Sequence, residues 1–214
     1  MTGALNIVLP ARAPGAAKNR LSPLLSDEAR SALSVALFRQ ALAFYRENWP
    51  EAQLTVVTDF EGFRAEAEAA GAVVLDDPGA GLNAAVDAAT VFSRQHGFER
   101  QMIVHADIAI LDQAEVAQLV EGEFPPPAIV IVPATGDGGT NVLLESPPGV
   151  IAHHYGAGSC ALHREAAAEK GVPVTELTMP GLGLDLDTAD DIRAYLATRP
   201  AGPIADLLVD WDVA

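Results

Sequence analysis

Short apolar runs rich in Val, Ile and Leu alternate along the first half of the chain with longer stretches whose hydrophobic positions recur at helical spacing. The run at 4–9 is followed by a helical stretch at 26–48, 54–58 by 60–70, 72–75 by 82–96, and 101–106 by 112–121. Such alternation predicts parallel strands crossed by helices. Local signals mark the helix ends. Ser26 ahead of Asp27 and Glu28 supplies a start, Asp112 with Glu115 reads as a capping box, and Gly71 and Gly97 stand where helices should stop. The stripe Leu33, Leu37, Ala41 and Phe44 is the core face of the first helix.

Beyond residue 124 the rhythm changes. Pro125-Pro126-Pro127 breaks it, and strands at 129–132 and 142–145 follow, separated by a glycine-rich turn. A helix at 159–170, strands at 173–177 and 182–186, and a helix at 189–198 complete an α/β reading with a mixed second half. A chain of 214 residues can bury one substantial core and is short for two, so we expect one domain over 1–199 and a tail, 200–214, that packs on the body or on a partner subunit.

Composition narrows the function. The formal charge is −16 and no stretch clusters Lys or Arg, which argues against nucleic acid as a partner. A small anion would need local help from a few cations or from a metal. No run approaches the roughly 18 apolar residues of a membrane span, no basic leader opens the chain, and its one cysteine fits a reducing compartment, so the expected location is the cytoplasm.

In an open α/β sheet the ligand lies beyond the carboxyl ends of the strands. Asp107 follows the run at 101–106, and Asp185 and Asp187 flank Leu186 at the end of the run at 182–186. Residues two apart on a strand share a face, so Asp185 and Asp187 can point at one ion, with Asp107 as a third carboxylate. The competing reading is a helix start, where acids are favoured, and for Asp190 and Asp191 that reading is preferred. Arg12, Gly15, Lys18 and Arg20 make 10–21 the densest basic stretch, able to hold a triphosphate or simply to be a solvated loop. Gly79, Gly81 and Asn83 lie in a turn that could approach a nucleoside closely, with Asn83 reading a base edge, or could merely start a helix. Residues 136–141 suit a hairpin, and Gly156, Gly158 and Ser159 precede a helix whose N–H groups suit an anion. Cys160 with His163 is read as core rather than as a nucleophile pair, and the adjacent His153 and His154 face opposite ways.

Taken in order, these segments resemble the guanylyltransferases that activate a phosphorylated acid in biosynthesis of the deazaflavin coenzyme F-420. The resemblance is carried by residues 10–24 with Ala17-Lys18-Asn19-Arg20, by Asp76-Asp77-Pro78-Gly79 with Gly81-Leu82-Asn83, and by Ala106-Asp107-Ile108. It continues through Asp137-Gly138-Gly139-Thr140-Asn141, residues 156–159, and Gly183-Leu184-Asp185-Leu186-Asp187-Thr188. It implies a Rossmann-like, GT-A-like nucleotide-diphospho-sugar transferase fold, GTP as co-substrate, magnesium and a homodimer. It also implies Asp107, Asp185 and Asp187 as metal carboxylates, and Thr140, Gly156 and Ser159 as contacts to a three-carbon phospho-acid. Lys18 and Arg20 would face the triphosphate, with Arg12, Gly81 and Asn83 on the nucleotide. Three positions depart from the family pattern: Arg12 where Lys is common, Ala109 where Pro is common, and Cys160 where an aromatic is frequent. A smaller residue at 160 would enlarge the acid pocket and favour 3-phosphoglycerate over phosphoenolpyruvate or 2-phospholactate. Rival readings are a nucleotidyltransferase for a sugar phosphate or molybdenum cofactor, and a non-catalytic nucleotide-binding module.

Overall fold

A computed structural model describes residues 4–16 and 18–211. Ala17, quoted in the resemblance, lies outside these, as do 1–3 and 212–214 at the ends of the expected domain and tail. The strands are β1 (Leu5–Pro10), β2 (Gln53–Val57), β3 (Val73–Leu75), β4 (Arg100–Val104), β5 (Ala128–Pro133), β6 (Thr140–Ser146) and β7 (Val174–Glu176). The helices are α1 (Asp27–Asn48), α2 (Glu61–Ala69), α3 (Leu82–Gln95), α4 (Gln113–Val120), α5 (Ser159–Glu169), α6 (Ala189–Ala197) and α7 (Pro203–Asp210). The strands form one sheet in the order β3-β2-β1-β4-β6-β5-β7. The first four are parallel, β6 runs antiparallel to β4 and β5, and β7 is parallel to β5. From β1 the chain winds outward to β2 and β3 and then returns to place β4 on the other side. The crevice therefore opens beyond the carboxyl ends of β1 and β4.

Packing follows from the apolar periods. Phe38, Leu42 and Tyr45 of α1 meet Ile7, Val56 and Met102 on one face of the sheet, and Phe38 stacks on Phe63 with ring centroids 4.0 Å apart. Each such side chain contributes about 1.5–3 kcal/mol on full burial. On the other face α3 covers Val8 and Ile103, but that face is not wholly apolar. Asn6 bonds Thr55 and Ser93, and Gln101 bonds Thr90 and Glu145, all buried. Burial without partners would be costly, and these bonds satisfy the named groups except for Glu145 Oε1, which is buried without a partner.

Ser26 caps α1 by accepting from the Ala29 N–H, and Asp112 caps α4 through the N–H groups of Ala114 and Glu115. The reciprocal half of the box expected at α4 is replaced: the Glu115 carboxylate accepts from Gly181 and Leu182 N–H at 3.0 and 2.8 Å. Residues 182–186 are not a strand. Only Asp185 makes a bridge, antiparallel to Ile108, because the chain turns tightly through Gly181 and Gly183. A Cβ on Gly183 would lie 2.7 Å from the Met179 carbonyl oxygen, so the turn closes against backbone. The apolar residues read as strand, Leu182, Leu184 and Leu186, are buried in loop conformation. The tail contains α7, started by Pro203, which buries Ile204, Ala205 and Leu208 against Leu33 and Leu37 of α1. No helix among the described residues is long and apolar enough to cross a membrane.

Candidate active site

Residues after β1, β4 and β5, and those preceding α3 and α5, enclose a cleft of about 530 Å³, a size that suits a small ligand. Arg12, Lys18, Asn83, Asp107, Thr140 and Ser159 line it, together with Arg20, Gly156, Asp185 and Asp187. Asp107 stands three residues past β4. The Ile108–Asp185 bridge and a 3.2 Å hydrogen bond from Leu186 N–H to the Asp107 carbonyl draw the Asp185-Leu186-Asp187 segment alongside it. Leu186 is fully buried while the aspartates on either side reach the cleft, so the two-residue spacing works here without a strand. One oxygen from each of the three carboxylates falls within 4.8 Å of the others.

Such a cluster repels itself, and Lys18 answers part of the charge. Its Nζ donates to Asp107 Oδ2 at 2.9 Å and to Asp187 Oδ1 at 2.8 Å, with a side chain only 3% exposed. Burial alone pulls this ammonium down, but the two aspartates more than offset it, leaving it above the usual lysine range. Lys18 holds φ 59°, ψ 32°, a left-handed conformation that costs a non-glycine residue about 1 kcal/mol or more. The strain buys a lysine aimed inward. Burial pushes Asp107 up, yet the Lys18 charge and then that of His105 bring it below the ordinary carboxylate range. Asp185 lies above that range, because burial and then the Asp107 charge outweigh the hydrogen bond that Asn141 Nδ2 gives it at 3.2 Å.

The other sequence candidates divide. Arg12 and Arg20 reach the cleft, Arg20 pairing with Asp137 at 3.5 Å, where both side chains are largely exposed. Gly81, at φ 95°, begins α3 beside the Arg12 guanidinium. Asn83 lines the cleft, but both ends of its amide bind the Tyr155 backbone: Oδ1 accepts from N–H at 2.7 Å and Nδ2 donates to the carbonyl at 3.3 Å. An amide so engaged braces the Tyr155–Gly156 loop rather than offering itself to a base. Thr140 and Ser159 sit together, their hydroxyl oxygens 3.1 Å apart. The N–H groups of Ser159 and Cys160 are taken by the Gly156 and Gly138 carbonyls, which leaves the hydroxyls to do the polar work at this end.

Cys160 is corrected. Its Sγ turns away from the cleft lining to Glu176 on β7, 3.1 Å away. Burial, then Glu176, pushes the thiol up to about 11. A side chain that faces β7 and does not line the cleft does not shape the acid pocket, and the inference from its size to acceptor preference loses its basis. Asp190 and Asp191 start α6, Asp191 completing a capping box with Thr188. His105, Asn141 and Asp137, which had no individual role in the sequence reading, all line the cleft. The signal for His105 and Asn141 was position, at a strand end next to an apolar run.

The switch-point cleft gathers carboxylates, a buried lysine and paired hydroxyls, a donor set suited to the phosphates of a nucleotide, and the relatives of the chain are nucleotidyltransferases. The chain superposes with a TM-score of 0.75 on a structure from Desulfovibrio desulfuricans G20 described as a nucleotide-diphospho-sugar transferase, at 17% identity and covering 97% of this chain and 95% of that one. Residues 5–197 match the family described as "Guanylyl transferase CofC like", and the chain belongs to it. The chain is 38% identical over 188 residues to the 3-phospho-D-glycerate guanylyltransferase of Colwellia psychrerythraea, covering 88% of this chain and 89% of that protein. It is 34% identical over 200 residues to the phosphoenolpyruvate guanylyltransferase of Conexibacter woesei, covering 91% and 90%. It is an enzyme of the guanylyltransferase type.

Proposed function

We propose that the protein transfers a guanylyl group from GTP to the phosphate of a three-carbon phospho-acid, with 3-phosphoglycerate the favoured acceptor, as a step in the coenzyme F-420 pathway that its family implies. The observation that carries this reading is the convergence of Asp107, Asp185 and Asp187 beside the Thr140–Ser159 hydroxyl pair in one cleft. The preference for 3-phosphoglycerate follows the relative at 38% identity.

The donor set suits magnesium, a hard cation held by carboxylates and substrate phosphate. Asp107 Oδ1 is buried and has no hydrogen-bond partner, and Asp185 resists ionising beside its neighbours; both are groups whose charge a cation would stabilise. Asp107, Asp185 and Asp187 would hold the ion. Bound there, magnesium would offset the repulsion between two phosphates and polarise the phosphoryl oxygens.

An acceptor phosphate oxygen attacks the α-phosphorus of GTP in line. The new P–O bond forms as the bond from that phosphorus to the bridging oxygen breaks, and pyrophosphate leaves with the electron pair. The acceptor is already mostly a dianion near neutral pH, since a phosphomonoester's second pKa is about 6, so no general base is required. Catalysis is positioning and charge neutralisation. Thr140, Ser159 and the Gly156 loop bind the acid, Arg12 and Arg20 face the nucleotide phosphates, and Lys18 assists the departing pyrophosphate.

With magnesium present, pyrophosphate release should appear with GTP and 3-phosphoglycerate and should exceed release with ATP at least ~10-fold, a discrimination that one or two base contacts provide. Running phosphoenolpyruvate, 2-phospholactate and a sugar phosphate alongside decides the acceptor. Release with the sugar phosphate alone would favour the rival transferase, and GTP binding without release from any acceptor would favour a non-catalytic module.

A further inference from the structure

His163 lies on α5, one turn beyond Ser159, fully buried behind the cleft wall. Its Nε2 accepts a hydrogen bond from the His154 backbone N–H at 3.0 Å, and its Nδ1 lies 3.0 Å from Thr140 Oγ1. A backbone N–H can only donate, so Nε2 must carry the lone pair and the neutral ring must carry its proton on Nδ1. Nδ1–H therefore donates to Thr140 Oγ1. Two hydroxyl hydrogens remain on Thr140 and Ser159; one spans the 3.1 Å between them, and the other is left for the cleft. With the opposite tautomer the Thr140 proton would be drawn into the ring, leaving the Ser159 proton alone to serve both the pair and the cleft. A phosphate or carboxylate offers only lone pairs, so the tautomer sets whether the pair can keep its own bond and still donate to the anion.

We propose that His163 is a positioning residue: by donating from Nδ1 it sets the hydrogen-bond direction of the Thr140–Ser159 pair so that this end of the cleft presents a hydroxyl proton to an anionic acceptor. The proposal rests on the reading that the phospho-acid binds here. The surroundings hold the ring neutral. Burial, and then His153, His154 and His105, push His163 down to about 4, and an imidazolium would turn an Nε2–H against the His154 N–H. The Tyr155 ring packs edge-on against it with centroids 5.0 Å apart, and Thr140 closes the remaining side from β6.

Two readouts test this. In ¹⁵N-labelled protein, two-bond correlations should show the His163 ring protonated at Nδ1 and bare at Nε2 between pH 6 and 8 without substrate; a ring protonated at Nε2 would overturn the proposal. His163→Phe, which keeps an aromatic ring but no longer fixes the direction of the Thr140 hydroxyl, should raise the KM for phospho-acid about 5-fold, the scale of one ordinary hydrogen bond, while the KM for GTP stays within about 2-fold. His163→Gln, with one acceptor and one donor side by side, should recover most of that loss. An equal rise in both KM values, or no rise in either, would mean that His163 only fills space. Should both variants unfold, the ring assignment still decides. If the wild-type protein turns over no phospho-acid, the proposed function falls while the ring nitrogens still report the direction of the bond.

Discussion

Replacing Asp107 with asparagine should lower turnover at least ~100-fold, the scale on which removal of one key electrostatic group acts, and leave the protein folded. Asparagine keeps the shape and a carbonyl oxygen that can still accept from Lys18 Nζ, now 2.9 Å away, so the segment after β4 has no reason to move. What disappears is a carboxylate charge, and with it the buried, unpartnered Oδ1 that a cation would satisfy. Pyrophosphate release measures the loss and circular dichroism the fold. The apparent affinity for magnesium should weaken together with turnover. A variant with near-normal turnover would remove Asp107 from the chemistry.

Lys18→Met should be the other severe variant, and it separates two roles of the lysine. Turnover should fall by a similar ~100-fold, because the charge proposed to assist the departing pyrophosphate is gone. Stability in metal-free buffer should fall by about 2 kcal/mol. That is less than the ~3–5 kcal/mol of a fully buried pair, since Asp107 and Asp187 are each about a third exposed and water screens what remains. Without Lys18 the cluster carries a larger negative charge, so added magnesium should raise the melting temperature of the variant more than that of the wild type. A loss of stability that magnesium does not restore would mean that the ammonium and the ion do not share the carboxylates.

The residues that announced themselves were those whose role follows from spacing along the chain. Asp185 and Asp187 flank a buried leucine, Asp107 follows an apolar run, and Ser26 and Asp112 cap helices where the pattern placed them. Long-range pairing was not legible. Lys18 meets Asp107 and Asp187 across separations of 89 and 169 residues, and only the strand order brings them together. The segment at 182–186 imitated a strand because alternating leucines are buried equally well by a glycine turn braced by Glu115. No helix was expected in the tail, although Pro203 stands at a first helical turn, where proline is favourable. β6 runs longer at both ends than the expected 142–145, since Thr140, Asn141 and Ser146 are buried polar residues with partners elsewhere in the fold.

The account turns on a divalent cation held by Asp107, Asp185 and Asp187, and crystals grown with manganese and a non-hydrolysable GTP analogue would locate it by anomalous scattering. The expected result is a peak within about 2.0–2.6 Å of carboxylate oxygens from these three residues, with the α-phosphate beside it. A peak bound elsewhere, or a nucleotide bound in the cleft while Lys18 alone bridges the aspartates, would contradict it.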